Sequence, residues 1–244
     1  MKNRLAGMML SEIPFSNMPV ILKKSGFDFF ILDNEHGGFD YSDISKIIMT
    51  AKLCNIEVII RLADNSRRDI IKFMDMGADG LMLQMTNTPD DIKKVVEYAK
   101  YAPIGKRGIS TMRAHTLYDP PALLDYMKQA NQATKVLAQI ETIQGVKNAR
   151  EIMQAEGVDG FIMGPNDLSC EMDCVNNDNA QEVLEAIENV TKIAHDLDKV
   201  SGIITSNQNY LKKSKEVDMK MFCVGSELSM LKKAGIQTVN LINE

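Results

Sequence analysis

Residues 136–141 read Val136-Leu137-Ala138-Gln139-Ile140-Glu141, and 26 positions beyond Glu141 comes Asp167, inside Gly164-Pro165-Asn166-Asp167-Leu168-Ser169. The first stretch, and the run that leads into the second, are short apolar segments whose last residues turn polar. A buried parallel strand has this pattern when its C-terminal end opens onto a site. Glu141 and Asp167 are then two carboxylates presented from neighbouring strand ends. Two hard oxygen ligands with room left for water suit Mg²⁺ or Mn²⁺ better than zinc. The plainer alternative makes Glu141 a helix cap and Asp167 a loop hydrogen-bond acceptor.

Working outward, similar apolar runs recur at 7–10, 27–33, 58–62, 80–85, 160–164, 200–205 and 221–225, giving eight candidate strands. Stretches of helical periodicity lie between them, such as Ser42-Ile44-Ile47-Ile48-Ala51, Ile70-Ile71-Met74, Ile92-Val95-Val96-Ala99, Val183-Ile187-Val190-Ile193 and Leu228-Leu231. Eightfold alternation of strand and helix predicts a parallel sheet closed into one α/β barrel, a (β/α)8 fold. Its usual length of roughly 250 residues matches the 244 of this chain, so residues 1–244 are read as one domain. A repeated Gly-x-Asp turn, at Gly26-Phe27-Asp28, Gly77-Ala78-Asp79 and Gly157-Val158-Asp159, is echoed by Val217-Asp218. Each Gly ends a helix in a left-handed turn before the next strand, so these Asp residues are assigned to the structural face of the barrel. Residues 101–134 form the one long insertion, with a short helix expected around 121–127. Long loops of this kind commonly cover a site or build an interface.

Composition narrows the function. Hydrophobic residues make up 45% and charged residues 25%, ordinary values for a soluble globule with a sizeable core. The net charge of −5, without a basic stripe or tail, argues against a nucleic-acid partner. Lysine and arginine pairs such as Lys93-Lys94 and Lys212-Lys213 read as solvated helix faces. Cys54, Cys170, Cys174 and Cys223 lack zinc spacing, which suits free thiols in a reducing cytoplasm. The first ten residues hold too short an apolar stretch for a signal peptide, and no run reaches the roughly 18 apolar residues of a membrane span.

In such a barrel the active groups come from strand C-termini and the loops that follow. Polar residues cluster there: Asp33-Asn34-Glu35-His36-Gly37-Gly38, Arg61, Gln84, Gln139, Glu141 and residues 164–167. His36, beside two acids, suits a general base. Arg61 emerges from Val58-Ile59-Ile60, where a permanent charge needs an anionic partner. That partner is either a substrate oxygen gripped by the planar fork or a salt bridge to Glu35 or Asp33. The amides after Gly164-Pro165, ahead of a helical stretch, suit an anion.

Taken together, Asp33-x-Glu35-His36, Arg61, Tyr101-x-Pro103-x-Gly105-x-Arg107-Gly108, Gln139-x-Glu141 and Gly164-Pro165-x-Asp167-Leu168-Ser169 resemble the pyruvate-dependent class II aldolases of the HpcH/HpaI family. The match runs in order over most of the chain. The resemblance implies a barrel of the phosphoenolpyruvate/pyruvate type and a divalent metal (Mg²⁺, Mn²⁺ or Co²⁺) on Glu141 and Asp167 that chelates a 2-oxo acid. It implies that Arg61 neutralises the enolate oxygen and that His36, oriented by Asp75, acts through water as the base in carbon–carbon cleavage or condensation with an aldehyde. Gln139, Gly164 and the backbone at Asn166 would fix the substrate carboxylate. A homo-oligomer, commonly a hexamer with a swapped C-terminal helix, would place Arg107 and the long loop at a subunit contact.

The chain departs from the family pattern in places. Met8-Met9-Leu10 stands where some members carry a tryptophan, and Gln84 where many have proline. Arg113 and His115 are additional polar candidates, expected near the mouth. These differences bear on the second substrate. One branch resembling these aldolases condenses oxaloacetate with acetyl-coenzyme A to make citrate for siderophores, and there Arg113 would meet the second carboxylate. A barrel retained only for binding would be expected to lose at least one of His36, Arg61, Glu141 and Asp167, and all four are present.

Overall fold

In the computed structural model, which describes residues 4–175, 177 and 179–243, the expected strands form a closed parallel barrel in sequential order. They are β1 (Leu5–Leu10), β2 (Phe29–Asp33), β3 (Glu57–Leu62), β4 (Gly80–Leu83), β5 (Lys135–Ile140), β6 (Gly160–Met163), β7 (Val200–Ile204) and β8 (Met221–Ser226). The helices are α1 (Met18–Lys24), α2 (Tyr41–Cys54), α3 (Arg67–Met76), α4 (Pro89–Ala99), α5 (Leu123–Ala133), α6 (Ile143–Gln154), α7 (Pro165–Glu171), α8 (Gln181–Asp196), α9 (Gln208–Glu216) and α10 (Glu227–Asn243). No helix among the described residues is long and apolar enough to cross a membrane.

The strands are apolar on both faces because each face has its own core. Outward residues, among them Phe30, Leu32, Ile60, Leu81, Ala138 and Phe161, pack with Ile44, Ile47, Phe73, Val95, Ile152 and Val190 of the helices. Inward residues Phe29, Ile31, Ile59, Met82, Leu137, Ile162, Met221 and Cys223 fill the barrel. Burying each large side chain contributes about 1.5–3 kcal/mol. A period of two carries the inward register upward: Ile31 leads to Asp33, Ile59 to Arg61, Leu137 to Gln139 and Glu141, and Ile162 to Gly164. The polar groups at the strand ends are therefore the top layer of the same interior.

At the opposite end the Gly-x-Asp turns act as the sequence suggests. Gly26, Gly77 and Gly157 have φ of 94°, 103° and 82°. Asp28 accepts the N–H of Ala6 at 3.0 Å, Asp79 that of Val58 at 2.9 Å and Asp159 that of Val136 at 2.7 Å. Each Asp thus satisfies an otherwise unpaired donor where the preceding strand begins. The echo at Asp218 differs: it adopts φ 58° itself and pairs with Lys220.

The long insertion joins the end of α4 to the start of β5, so it leaves and returns on this same helix-to-strand side. The expectation that Arg113 and His115 stand near the mouth is corrected for a single chain. A 3₁₀ turn, Ala114–Thr116, packs on α3, and the Cα of His115 lies 3.3 Å from where a Cβ on Gly77 would sit. The expected short helix is the longer α5, whose one buried residue is the polar Asn131. The Asn131 side chain mimics a strand partner, accepting from Tyr101 N at 2.6 Å and donating to Tyr101 O at 2.9 Å.

Candidate active site

The mouth of the barrel is built on a buried ion pair. Asp33 and Arg61 are register partners on β2 and β3, both facing inward. Arg61 donates from Nε to Oδ1 of Asp33 at 2.9 Å and from Nη2 to Oδ2 at 2.5 Å, while its Nη1 lies 3.2 Å from Oε2 of Glu35. Asp33 also accepts the backbone N–H groups of Glu35 and His36 at 3.0 and 3.2 Å, which folds the loop after β2 back over the strand. Burial pushes the Asp33 carboxyl up, but Arg61 and the two amides outweigh it and hold the group below its ordinary value. Glu35 lies above its ordinary value because of burial, reinforced by the negative charges of Asp33 and Asp167. Of the five guanidinium donors, two bind Asp33 and one faces Glu35, leaving one on each terminal nitrogen for another oxygen. The salt bridge and the capacity for substrate binding therefore coexist.

His36 projects into solvent, its side chain 74% exposed, with Nε2 3.7 Å from Oε2 of Glu35. Its acidic neighbour within the chain is Glu35, not Asp75. Asp75 sits in the last turn of α3, about 12 Å along the helix from its start. It pairs with Arg107 at 2.9 Å and lies 3.9 Å from His115. Arg113 is exposed on the same side, its Nε bonded to Oγ of Ser110 at 3.1 Å. Both residues are thus separated from the mouth of their own barrel. A cavity of about 200 Å³ lined by Arg107, His115, Tyr126 and Gln129 also belongs to this far side.

Glu141 directly follows β5 and is held from both sides. Oε1 accepts the N–H of Met85 at 2.7 Å, and Oε2 accepts from the Gln139 side chain. Thr142, the cap of α6, bonds Gly145 N and fixes where the strand ends. Met85 reaches Glu141 by adopting φ 47°, a left-handed conformation uncommon for a residue with a side chain, and nothing in the sequence signals it. Burial raises the Glu141 carboxyl to about 7; the Met85 N–H opposes this and Asp167 adds to it. Gly164 allows the close approach: a Cβ there would stand 2.6 Å from Oε2 and 2.8 Å from Cβ of Glu141.

Asp167 lies in the first turn of α7, exposed, with Asn166 beside it. Its charge acts on both Glu141 and Glu35, so the acids from β2, β5 and α7 share one space. No group of three His, Cys, Asp or Glu residues converges among the described residues. A pair of carboxylates, one desolvated and without a salt bridge among the described residues, fits a hard divalent ion that keeps its remaining positions for water and substrate oxygens. Gln139 directs its N–H₂ to Glu141, which leaves its Oε1 buried and unpartnered. In this orientation Gln139 positions Glu141 and offers the site an acceptor. The salt bridge of Arg61 to Asp33 or Glu35 that the sequence offered as an alternative is formed with both acids, and the Met85 amide on Glu141 is the contact that sequence reasoning missed.

Comparison with known proteins bears on this geometry. The 4-hydroxy-2-oxo-heptane-1,7-dioate aldolase of Shigella flexneri is 30% identical over 216 residues, covering 88% of this chain and 80% of that protein. The crystal structure of an HpcH/HpaI aldolase from Desulfitobacterium hafniense superposes with a TM-score of 0.93 at 25% identity, covering 99% and 94% of the two chains. Citrate synthase SbnG shares the fold, with a TM-score of 0.86 at 24% identity over 98% and 93% of the chains. The sequence profile of the HpcH/HpaI aldolase/citrate lyase family matches residues 14–234. That span takes in every strand except β1 and all of the inward polar layer, and the chain belongs to the HpcH/HpaI aldolase/citrate lyase family.

Proposed function

We propose that this chain is a metal-dependent aldolase that makes or breaks a carbon–carbon bond between the enolate of a 2-oxo acid, pyruvate, and an aldehyde. The observation that carries the reading is the facing of two charge systems in one inward layer: an arginine held rigidly by Asp33, and a buried carboxylate, Glu141, that makes no salt bridge among the described residues. Glu141 and Asp167 would hold Mg²⁺, Mn²⁺ or Co²⁺, which supplies Lewis-acid stabilisation of an enolate. Arg61 offers its two remaining N–H groups to the same developing oxygen charge, and its guanidinium is already oriented, so little reorganisation is needed. His36, exposed at the rim, takes or returns the proton through water. Gln139 holds Glu141, and the backbone from Gly164 to Asn166 opens α7 toward the substrate carboxylate.

The active enzyme is a homo-oligomer, with the hexamer implied by the family resemblance. Exposed apolar side chains support it: Leu231, Ile236, Leu241 and Ile242 on α10, and Ile109, Met112, Tyr118 and Leu124 on the insertion. In such an oligomer a neighbouring copy would present Arg113, on its insertion, and Asp75, on α3 and paired with Arg107 of that insertion, to this mouth. Four free cysteines accord with a cytoplasmic setting.

The decisive experiment is proton NMR of pyruvate in heavy water. Methyl deuterium uptake that requires Mg²⁺ or Mn²⁺ and stops with chelator is the expected result, followed by turnover with a panel of aldehydes. No exchange with metal bound would refute pyruvate as the nucleophile; oxaloacetate with acetyl-coenzyme A would then be assayed.

A further inference from the structure

Glu227, the first residue of α10, is a buried carboxylate with no cationic partner among the described residues. Its Oε1 instead accepts three consecutive backbone N–H groups, from Ser11 at 2.9 Å, Glu12 at 2.6 Å and Ile13 at 3.2 Å. The Ser11 hydroxyl lies 3.4 Å from both carboxylate oxygens. These amides open the loop between β1 and α1, at the mouth of the barrel. A register shift between β1 and β8, which pairs Met9 with Ser226, brings the start of α10 under the end of β1.

The contact continues into the catalytic loop. Ser11 O accepts the N–H of Gly38 at 3.1 Å, two residues past His36. Gly37 is wedged so closely that a Cβ would stand 2.1 Å from Asp33 O and 2.7 Å from Ser11 O. The His36 loop is therefore clamped between Asp33 on one side and the β1–α1 loop on the other, and the second jaw is held by Glu227. Charge-assisted bonds to backbone N–H are about twice as strong as neutral ones, so three of them on one oxygen make a stiff anchor.

We propose that Glu227 is a positioning residue that acts through the backbone of Ser11–Ile13 on the loop carrying His36. The aldol step rests on the aldolase reading above; the mechanical link from Glu227 to Gly38 does not. The hydrogen bonds of Glu227 go to Ser11–Ile13 and none reaches Glu141 or Asp167, the proposed metal ligands, which follow β5 and open α7.

The test uses the full chain and its Glu227→Ala and Glu227→Gln variants. Hydrogen–deuterium exchange read by mass spectrometry should show the amides of 11–13 and of 36–38 exchanging at least tenfold faster in the alanine variant. The glutamine variant, which keeps an acceptor oxygen without the charge, should fall between it and wild type. Mn²⁺ affinity should be unchanged in both. The kcat for aldol cleavage should fall at least tenfold with alanine and be largely rescued by glutamine, with the KM for the 2-oxo acid within about twofold. Wild-type exchange at 36–38 in both variants would overturn the link, as would loss of Mn²⁺ binding in step with activity. If alanine prevents folding, wild-type exchange at both segments in the glutamine variant overturns it alone. A wild-type enzyme inactive in every aldol assay would refute the aldolase reading while the exchange data still judge the link.

Discussion

Arg61 and Asp33, partners across β2 and β3, meet through two parallel hydrogen bonds, Nε to Oδ1 at 2.9 Å and Nη2 to Oδ2 at 2.5 Å. Both side chains are nearly buried, at 11% and 4% exposure. The pair fixes the guanidinium plane before any substrate arrives, which is how a binding group stabilises a transition state without reorganising. Replacing Arg61 with lysine keeps the charge and removes the fork. Arg61→Lys should reduce kcat/KM at least a hundredfold, and wild-type turnover in steady-state assays would refute the enolate role. Asp33→Ala removes both bonds of the fork and leaves Arg61 with Glu35 alone, which should cost up to about 3 kcal/mol in chemical denaturation.

Glu141 sets a pH dependence. Its folded value is about 7, against 4.5 for the ordinary group. Between these values the folded state holds a proton that the unfolded state has lost, so stability falls as pH rises and the penalty is complete above about pH 7. Two and a half units correspond to about 3 kcal/mol. A divalent ion held by Glu141, as proposed, would bind the carboxylate form and relieve this penalty, but at lower pH it would first have to displace the proton. The rise in Tm on adding saturating Mn²⁺ should therefore be larger at pH 8 than at pH 6. Glu141→Gln should flatten the pH dependence of the metal-free protein and abolish the Mn²⁺ response. Equal Mn²⁺ gains at both pH values would contradict the assignment.

Gly164 offers a milder perturbation of the same group. Its backbone φ is −107°, which alanine tolerates, so the cost of Gly164→Ala arises from contact with Glu141 and not from chain strain. Displacing Glu141 from its two donors should weaken Mn²⁺ binding about 10–100-fold, the usual effect of disturbing the groups that orient a metal ligand. Calorimetric titration with Mn²⁺ checks it, and unchanged affinity would mean that Glu141 moves freely.

Much of this was legible in the chain because barrel strands are short, apolar and bounded by Gly-x-Asp turns. Asp33, Arg61, Gln139 and Glu141 could be placed on one layer by counting in twos from Ile31, Ile59 and Leu137. The insertion was misplaced for a topological reason that the sequence did contain: it follows α4 and precedes β5, so it belongs to the far face. The Met85 amide was not legible, since a left-handed methionine carries no signature. Glu227 was hidden because its partners are backbone amides, whose positions depend on the shifted pairing of β1 with β8 and not on residue type.

The separation of Arg113 from its own barrel mouth gives the last prediction. If a neighbouring copy supplies Arg113, the site draws Arg61 from one chain and Arg113 from another. Arg113→Ala removes an exposed side chain whose Nε bonds Ser110 Oγ, a neighbour in the same loop, so the fold should persist while kcat/KM falls. Arg61→Lys should retain at most about a hundredth of the activity, for the separate reason given above. In oligomers re-formed from an equal mixture, some sites combine the intact Arg61 of one variant with the intact Arg113 of the other. Random assembly of a two-chain site restores about a quarter of wild-type activity. A mixture no more active than its parents would place Arg113 outside the shared site, and sedimentation of the mixture would show that hetero-oligomers had formed.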